Sequence, residues 1–337
     1  MTAGILLQLG NTANKCLFAT VQYCRPQLQI SQYRQIRNLR KFGISVKKSK
    51  FSSPNVDVEL EKIQSSKLWK HLGFTVLFGG TSIVGAAIWE YENSRQEMYR
   101  ILNYYKQIQI NRTGWRAKME TWWRNLTEGQ RVFVPILFLN TIVFLAWRVP
   151  AFQKTMVRYF CSNPASSVSC WPMVFSTFSH YNIFHLAANM FVLHSFSSLI
   201  VSTLGKEQFV ALYLSSGVVS NFVSYIYKTI LKLPVMSLGA SGAVLGVIGF
   251  TSTEYPTMPL YLIFLPMFTF SAGATIKTLL VIDTIGCIAR WKWIDHAGHI
   301  GGTLFGIFWQ VWGRNIWDHR KPILTLWHEF REPRRSQ

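Results

Sequence analysis

Seven apolar stretches, most of them close to the length that crosses a lipid bilayer, constrain this chain more than any other feature. A membrane-crossing helix needs roughly twenty apolar residues, because lipid offers no partner for backbone N–H and C=O groups and the segment must satisfy them itself. One isolated span reads from about Leu68 to Trp89, with Trp69 and Trp89 as interfacial anchors. Core spans follow near Val132 to Trp147, Ile183 to Leu204, Phe209 to Ile230, Met236 to Thr253, Ala272 to Ile288 and His296 to Trp312. Several fall short of an ordinary bilayer's thickness, which implies local thinning or burial inside a bundle. Leu260 to Phe270, apolar but interrupted by Pro266, reads as a buried strand-like loop before the fifth core helix. The expected fold is an all-α polytopic membrane protein, a six-helix core preceded by one extra transmembrane helix. With 49% hydrophobic and only 15% charged residues, composition does not suit a soluble chain of this length.

The distribution of charge adds organisation. Net charge is +20. Residues 1–56 hold Lys15, Arg25, Arg34, Arg37, Arg40, Lys41, Lys47, Lys48 and Lys50 with no acid, the composition of a mitochondrial transit peptide. A basic arm for nucleic acid or anionic lipid is the other reading of that run, and nucleic acid is not expected as a partner. Residues 57–130 read as the extra span plus an interfacial linker rich in Trp, Tyr, Arg and Lys; 131–312 as the core; 313–337 as a basic tail. Five dispersed cysteines give neither a disulfide framework nor a zinc site, and no phosphate loop or His-Glu-x-x-His occurs, so no cofactor or metal is expected.

Inside the apolar stretches a few polar residues stand out. Ser241 lies in Leu238-Gly239-Ala240-Ser241-Gly242, and His299 heads His299-Ile300-Gly301-Gly302. A lone serine in such a helix usually bonds back to a carbonyl one turn earlier, but a histidine at membrane depth needs a partner or a wet cavity. Gly242 and Gly246 after the serine, and Gly298, Gly302 and Gly306 around the histidine, recur every fourth residue and permit close helix approach; tight packing alone would also explain them. His185 and Asn189, one helical turn apart, can aim two donors at one point, as an oxyanion requires, or can simply bond between helices. His180 stands nearby in sequence. Asp295 lies one turn before His299 as a possible orienting acid. The Gly-x-Ser-x-Gly elbow of other serine hydrolases fails at Ala243. A transporter would need carboxylates or arginines inside the spans, and Asp283 is the one obvious candidate.

In order along the chain, Trp147-Arg148, Ser179-His180, His185-Leu186-Ala187-Ala188-Asn189, Gly239-Ala240-Ser241-Gly242 and Asp295-His296-Ala297-Gly298-His299 resemble the rhomboid intramembrane proteases. Ser162-Asn163-Pro164-Ala165-Ser166 and Phe264-Leu265-Pro266-Met267-Phe268 resemble their mitochondrial, presenilin-associated branch. The resemblance covers about Thr127 onward. It implies a Ser241 nucleophile, His299 rather than His296 as general base, and an oxyanion hole from His185, Asn189 and the Ser241 amide, with His180 near site water. It further implies residence in the mitochondrial inner membrane among cardiolipin and other lipids, with the N-terminus in the matrix. The substrates implied are single-pass membrane segments, with links to fusion, mitophagy and apoptosis. A departure is Leu245, where bacterial members often carry a tyrosine stacked on the catalytic imidazole, which leaves open what orients His299. The competing expectation is an inactive relative that escorts membrane helices without cutting them.

Overall fold

The computed structural model describes residues 65–103, 114–166, 168, 170–262 and 265–331. The basic arm expected over 1–56, the last residues of the tail, and Phe264 lie outside these. Each of the seven apolar stretches contains a helix: α1 (Leu68–Asn103), α3 (Glu128–Ala146), α6 (Ile183–Leu204), α7 (Lys206–Ile230), α8 (Ser241–Glu254), α9 (Ala272–Ile288) and α10 (His296–Phe308). Short helices α2 (Trp115–Asn125), α4 (Gln153–Phe160), α5 (Pro172–Phe175), α11 (Arg314–Asp318) and α12 (Lys321–Arg331) fill the connections and the C-terminal end.

Local chemistry sets the boundaries. Thr127 and Gln130 form a capping box at the start of α3, and Asn182, Ser271 and Asp295 each accept a backbone N–H at the starts of α6, α9 and α10. Gly205 alone joins α6 to α7, at φ 82°, a left-handed conformation that a β-carbon would strain. The spans covered by Ser65–Ile101, Glu128–Ala146, Ile183–Leu204 and Lys206–Ile230 are long and apolar enough to cross a membrane. α8, α9 and α10 are shorter, at 14, 17 and 13 residues. Their shortness fits their place: α8 is the hub, packed against α6, α7, α9 and α10, and buries ten of its residues.

Three expectations need correction. The stretch from Met236 does not open a helix; α8 begins at Ser241. Pro234 biases the chain out of helix, Ser237 pairs its backbone both ways with Ser162, and Gly239 takes φ 140°. The extra helix continues beyond Trp89 to Asn103, because Glu90, Glu92 and Arg95 end the apolar span without ending the helix. Leu260 to Phe270 is no buried loop but an antiparallel hairpin, β1 (Pro259–Leu262) with β2 (Leu265–Ser271), whose Tyr261 and Met267 are 65% and 90% exposed. It packs chiefly on the start of α9 and leaves Tyr261, Met267, Phe268 and Phe270 exposed.

α1 runs along α7. At its first turns His71 stands edge-on to Tyr225, the ring centres 4.8 Å apart. Two thirds of the way along it, Glu92 accepts from Trp327 (3.0 Å) and Arg331 (2.7 Å), Glu90 pairs with Arg320 (2.9 Å), and Tyr91 bonds His328 (2.6 Å). The C-terminal helix α12 is thus clasped to the extra helix at the opposite end of the bundle from Ser241.

Candidate active site

Ser241 is the first residue of α8 and His299 lies in the first turn of α10, so both sit where short helices begin, at one end of the bundle. His299 Nε2 is 2.9 Å from Ser241 Oγ. His296, the other histidine of that turn, bonds Asp283 through Nδ1 at 2.7 Å.

Glycine makes the approach possible. A β-carbon on Gly302 would lie 2.8 Å from the Gly242 carbonyl carbon, and one on Gly306 would lie 2.7 Å from that of Gly246. Real β-carbons do not come that close, so α8 and α10 touch backbone to backbone along two successive turns. Ser220 on α7 completes the joint by donating to the Gly298 carbonyl at 2.7 Å.

The residue beside the outer nitrogen of His299 is Asp283 of α9, not Asp295. Asp283 Oδ1 lies 2.7 Å from His296 Nδ1 and 3.4 Å from His299 Nδ1, and both Asp283 and His296 are buried. Gly286, one turn on from Asp283, leaves the space that the His296 ring fills; a β-carbon there would meet the ring at 2.5 Å. The sequence signal for Asp283 was its position as a carboxylate in an apolar span; its link to His299 was not legible because 16 residues and a turn separate them.

Asp295 serves elsewhere. Its Oδ1 accepts from Gly298 N at 3.1 Å as the cap of α10, while Oδ2 accepts from Lys228 Nζ (3.0 Å) and Ser224 Oγ (2.5 Å). Burial opposes its charge, but the Lys228 ammonium and the Ser224 and Ser237 hydroxyls outweigh that and hold the carboxyl well below the usual carboxylate range. Lys228 also donates to Ser237 Oγ at 2.7 Å.

His185 and Asn189 come from the first turns of α6 and lie against the loop ahead of the serine. Gly239 admits the His185 ring, since a β-carbon would sit 2.7 Å from Cε1 in a backbone already at φ 140°. Asn189 Nδ2 faces the His185 carbonyl (2.9 Å) and His180 Nε2 (3.2 Å), and the same His180 nitrogen accepts the Ala240 amide at 3.2 Å. His180 therefore links Asn189 to the residue before Ser241. A small cavity open to the outside is lined by Ser241, His299, Gly239, Asn221, Thr177 and Asp295, among others. Trp147 bonds Ser179 at 2.9 Å and Arg148 bonds the Tyr181 carbonyl, fixing the end of α3 to the loop that carries His180. Among the described residues no His, Cys, Asp and Glu cluster is arranged to hold a metal.

These features define a polytopic helical membrane protein with a serine and a histidine paired in a cavity between short helices. The family model for the Rhomboid domain matches residues 167–315. The mitochondrial presenilin-associated rhomboid-like protein of Homo sapiens is 48% identical over 274 residues, covering 78% of this chain and 72% of that one. The mitochondrial Rhomboid protein 1 of Saccharomyces cerevisiae is 30% identical over 187 residues, 54% of this chain and 53% of its own. The Rhomboid protease GluP of Bacillus subtilis is 29% identical over 138 residues, 41% of this chain and 25% of its own. The chain belongs to the rhomboid family, in its mitochondrial presenilin-associated branch, and is a multi-pass mitochondrial membrane protein.

Proposed function

We propose that this protein is an intramembrane serine endopeptidase that cleaves single-pass segments of the mitochondrial inner membrane. The observation that carries the reading is the 2.9 Å contact of Ser241 Oγ with His299 Nε2 in a cavity among short helices. An inactive escort would not need that pair in bonding register. Asp283 accepts Nδ1–H of His296 and lies near Nδ1 of His299, which favours the tautomer of His299 that leaves Nε2 free to accept a proton.

His299 takes the Ser241 proton as Oγ attacks the scissile carbonyl; the tetrahedral intermediate collapses as His299 protonates the leaving amine, and water then hydrolyses the acyl ester by the same route. The amides at the start of α8 have no intrahelical acceptors and sit at the positive end of the helix dipole, so they suit the oxyanion. Asn189 and His185 are the side-chain donors proposed for it. Asn189 directs its amide protons to the His185 carbonyl and His180, so donation to an oxyanion requires that amide to turn. Because helical peptide bonds hide their carbonyls, substrates with Gly, Pro or small polar residues near the cut should unwind and be cleaved faster. Such an activity fits the processing of membrane anchors in mitochondrial fusion, mitophagy and apoptosis.

The test is purified protein in detergent with a single-pass helix substrate. Wild type should cleave it, and Ser241→Ala and His299→Ala should each lose at least about 10³-fold in rate. Cleavage that survives either change would overturn the proposal.

A further inference from the structure

The Ser241 and His299 arms come from α8 and α10, and the glycine contacts fix the two helix axes, but the cap and the loop that lead into each arm need their own anchor. Ser237 precedes Ser241 by four residues, and Asp295 precedes His299 by four. The side chains of both meet one group, the ammonium of Lys228, at 2.7 and 3.0 Å. Lys228 stands in the last turn of α7, is 4% exposed, and belongs to neither arm. Ser224, one turn earlier on α7, adds a second bond to Asp295 at 2.5 Å.

A buried ammonium is costly unless paired, and its pairing here is divided between two elements rather than spent on one. The Ala240 cap of α8 makes no side-chain bond of its own, so Ser237 is one of the few side-chain tethers on the loop that delivers the nucleophile. Asp295 in turn sets the first turn of α10, since its Oδ1 holds the Gly298 amide and its carbonyl accepts the His299 amide at 3.0 Å. Moving the ammonium therefore moves the lead-in to both reacting groups in the same plane of the molecule.

We infer that Lys228 is a positioning residue for the dyad, a pivot that holds the nucleophile loop through Ser237 and the base-bearing helix through Asp295 in mutual register. This rests on the protease reading above and adds a residue that touches neither substrate nor reacting atoms. Its consequence is that loosening the pivot slows chemistry without weakening substrate binding.

The mildest test is Ser237→Ala, which leaves the Lys228–Asp295 ion pair in place and removes the hydroxyl that ties the nucleophile loop to it. Lys228→Met removes the pivot, and Lys228→Arg restores the charge with a different shape. The readouts are kcat and KM on a single-pass helix substrate, the rate at which a fluorophosphonate labels Ser241, and the melting temperature in the same detergent. Ser237→Ala should lower kcat and labelling about tenfold, with KM and melting temperature near wild type; Lys228→Met should fall further, and Lys228→Arg should recover part of the loss. Wild-type kcat and labelling in Ser237→Ala, or a loss confined to KM, would overturn the inference. Should Lys228→Met not fold, Ser237→Ala alone decides. Cleavage by Ser241→Ala would instead overturn the protease reading, so the two failures are distinguishable.

Discussion

Replacing Gly302 with alanine probes the joint on which the dyad depends. The new methyl would overlap the Gly242 carbonyl oxygen and lie 2.8 Å from its carbonyl carbon. Ordinary non-bonded contacts are about 3.5–4.0 Å between carbons and only slightly less to oxygen, so the helices must part by more than about 1 Å at that turn. Gly302 is one turn beyond His299, so most of that displacement reaches the dyad and stretches its 2.9 Å bond toward about 3.8 Å, outside bonding range. A shift of about 1 Å in reacting groups costs on the order of 10² in rate, and overpacking of this kind costs about 1–3 kcal/mol of stability. The assay pairs cleavage of a single-pass helix in liposomes with thermal unfolding in detergent. Gly85→Ala on α1 is the control: nothing lies within 4 Å of its added carbon, and alanine favours helix, so neither rate nor melting temperature should fall. A Gly302→Ala protein that keeps rate and melting temperature within about twofold and a degree or two of wild type would refute the argument that backbone contact sets the dyad.

Asp283→Asn keeps the shape beside His296 and His299 but removes the charge that favours Nδ1–H on the base. It should lower kcat on the order of 10²-fold with little change in KM, and an unchanged kcat would exclude Asp283 as the orienting acid. Asp295 has a folded-state acidity displaced downward from its ordinary 3.8, so its stabilisation is complete above that value and is lost as pH falls below it toward the folded value. The difference in melting temperature between wild type and Asp295→Asn should therefore stay constant from about pH 8 to pH 5 and narrow below about pH 4; a difference that persists in acid would deny the charge a role.

Much of the fold was legible because hydropathy reports directly on burial in lipid: the ends of α6, α7 and α9 fall where apolar runs meet Gly205, Ile230 and Ala272. What hydropathy cannot report is backbone geometry inside an apolar run. Met236 to Ala240 continues the apolar run ahead of α8, yet Pro234, the Ser237–Ser162 pairing and the turn at Gly239 keep it out of the helix. The hairpin was misread for a related reason, since apolar side chains left exposed, such as Tyr261 and Met267, and apolar side chains buried in protein look alike in sequence. At the site, the glycine repeats and the i, i+4 pair His185 and Asn189 signalled a meeting point because helical periodicity is local. Asp283 and Lys228 gave no such signal: each acts through a partner on another helix, and no spacing rule connects them.

The length of α1 has a mechanical corollary. Its 36 residues make a rod of about 54 Å, more than twice the roughly 21 Å of α8, so it outreaches the bundle it leans on. Its first turns bear the ring of His71 against Tyr225, a single turn from Lys228; farther along, Glu92 is gripped by Trp327 and Arg331. A load on the carboxyl-terminal helix is thereby carried along an uninterrupted shaft to the helix turn beside Lys228.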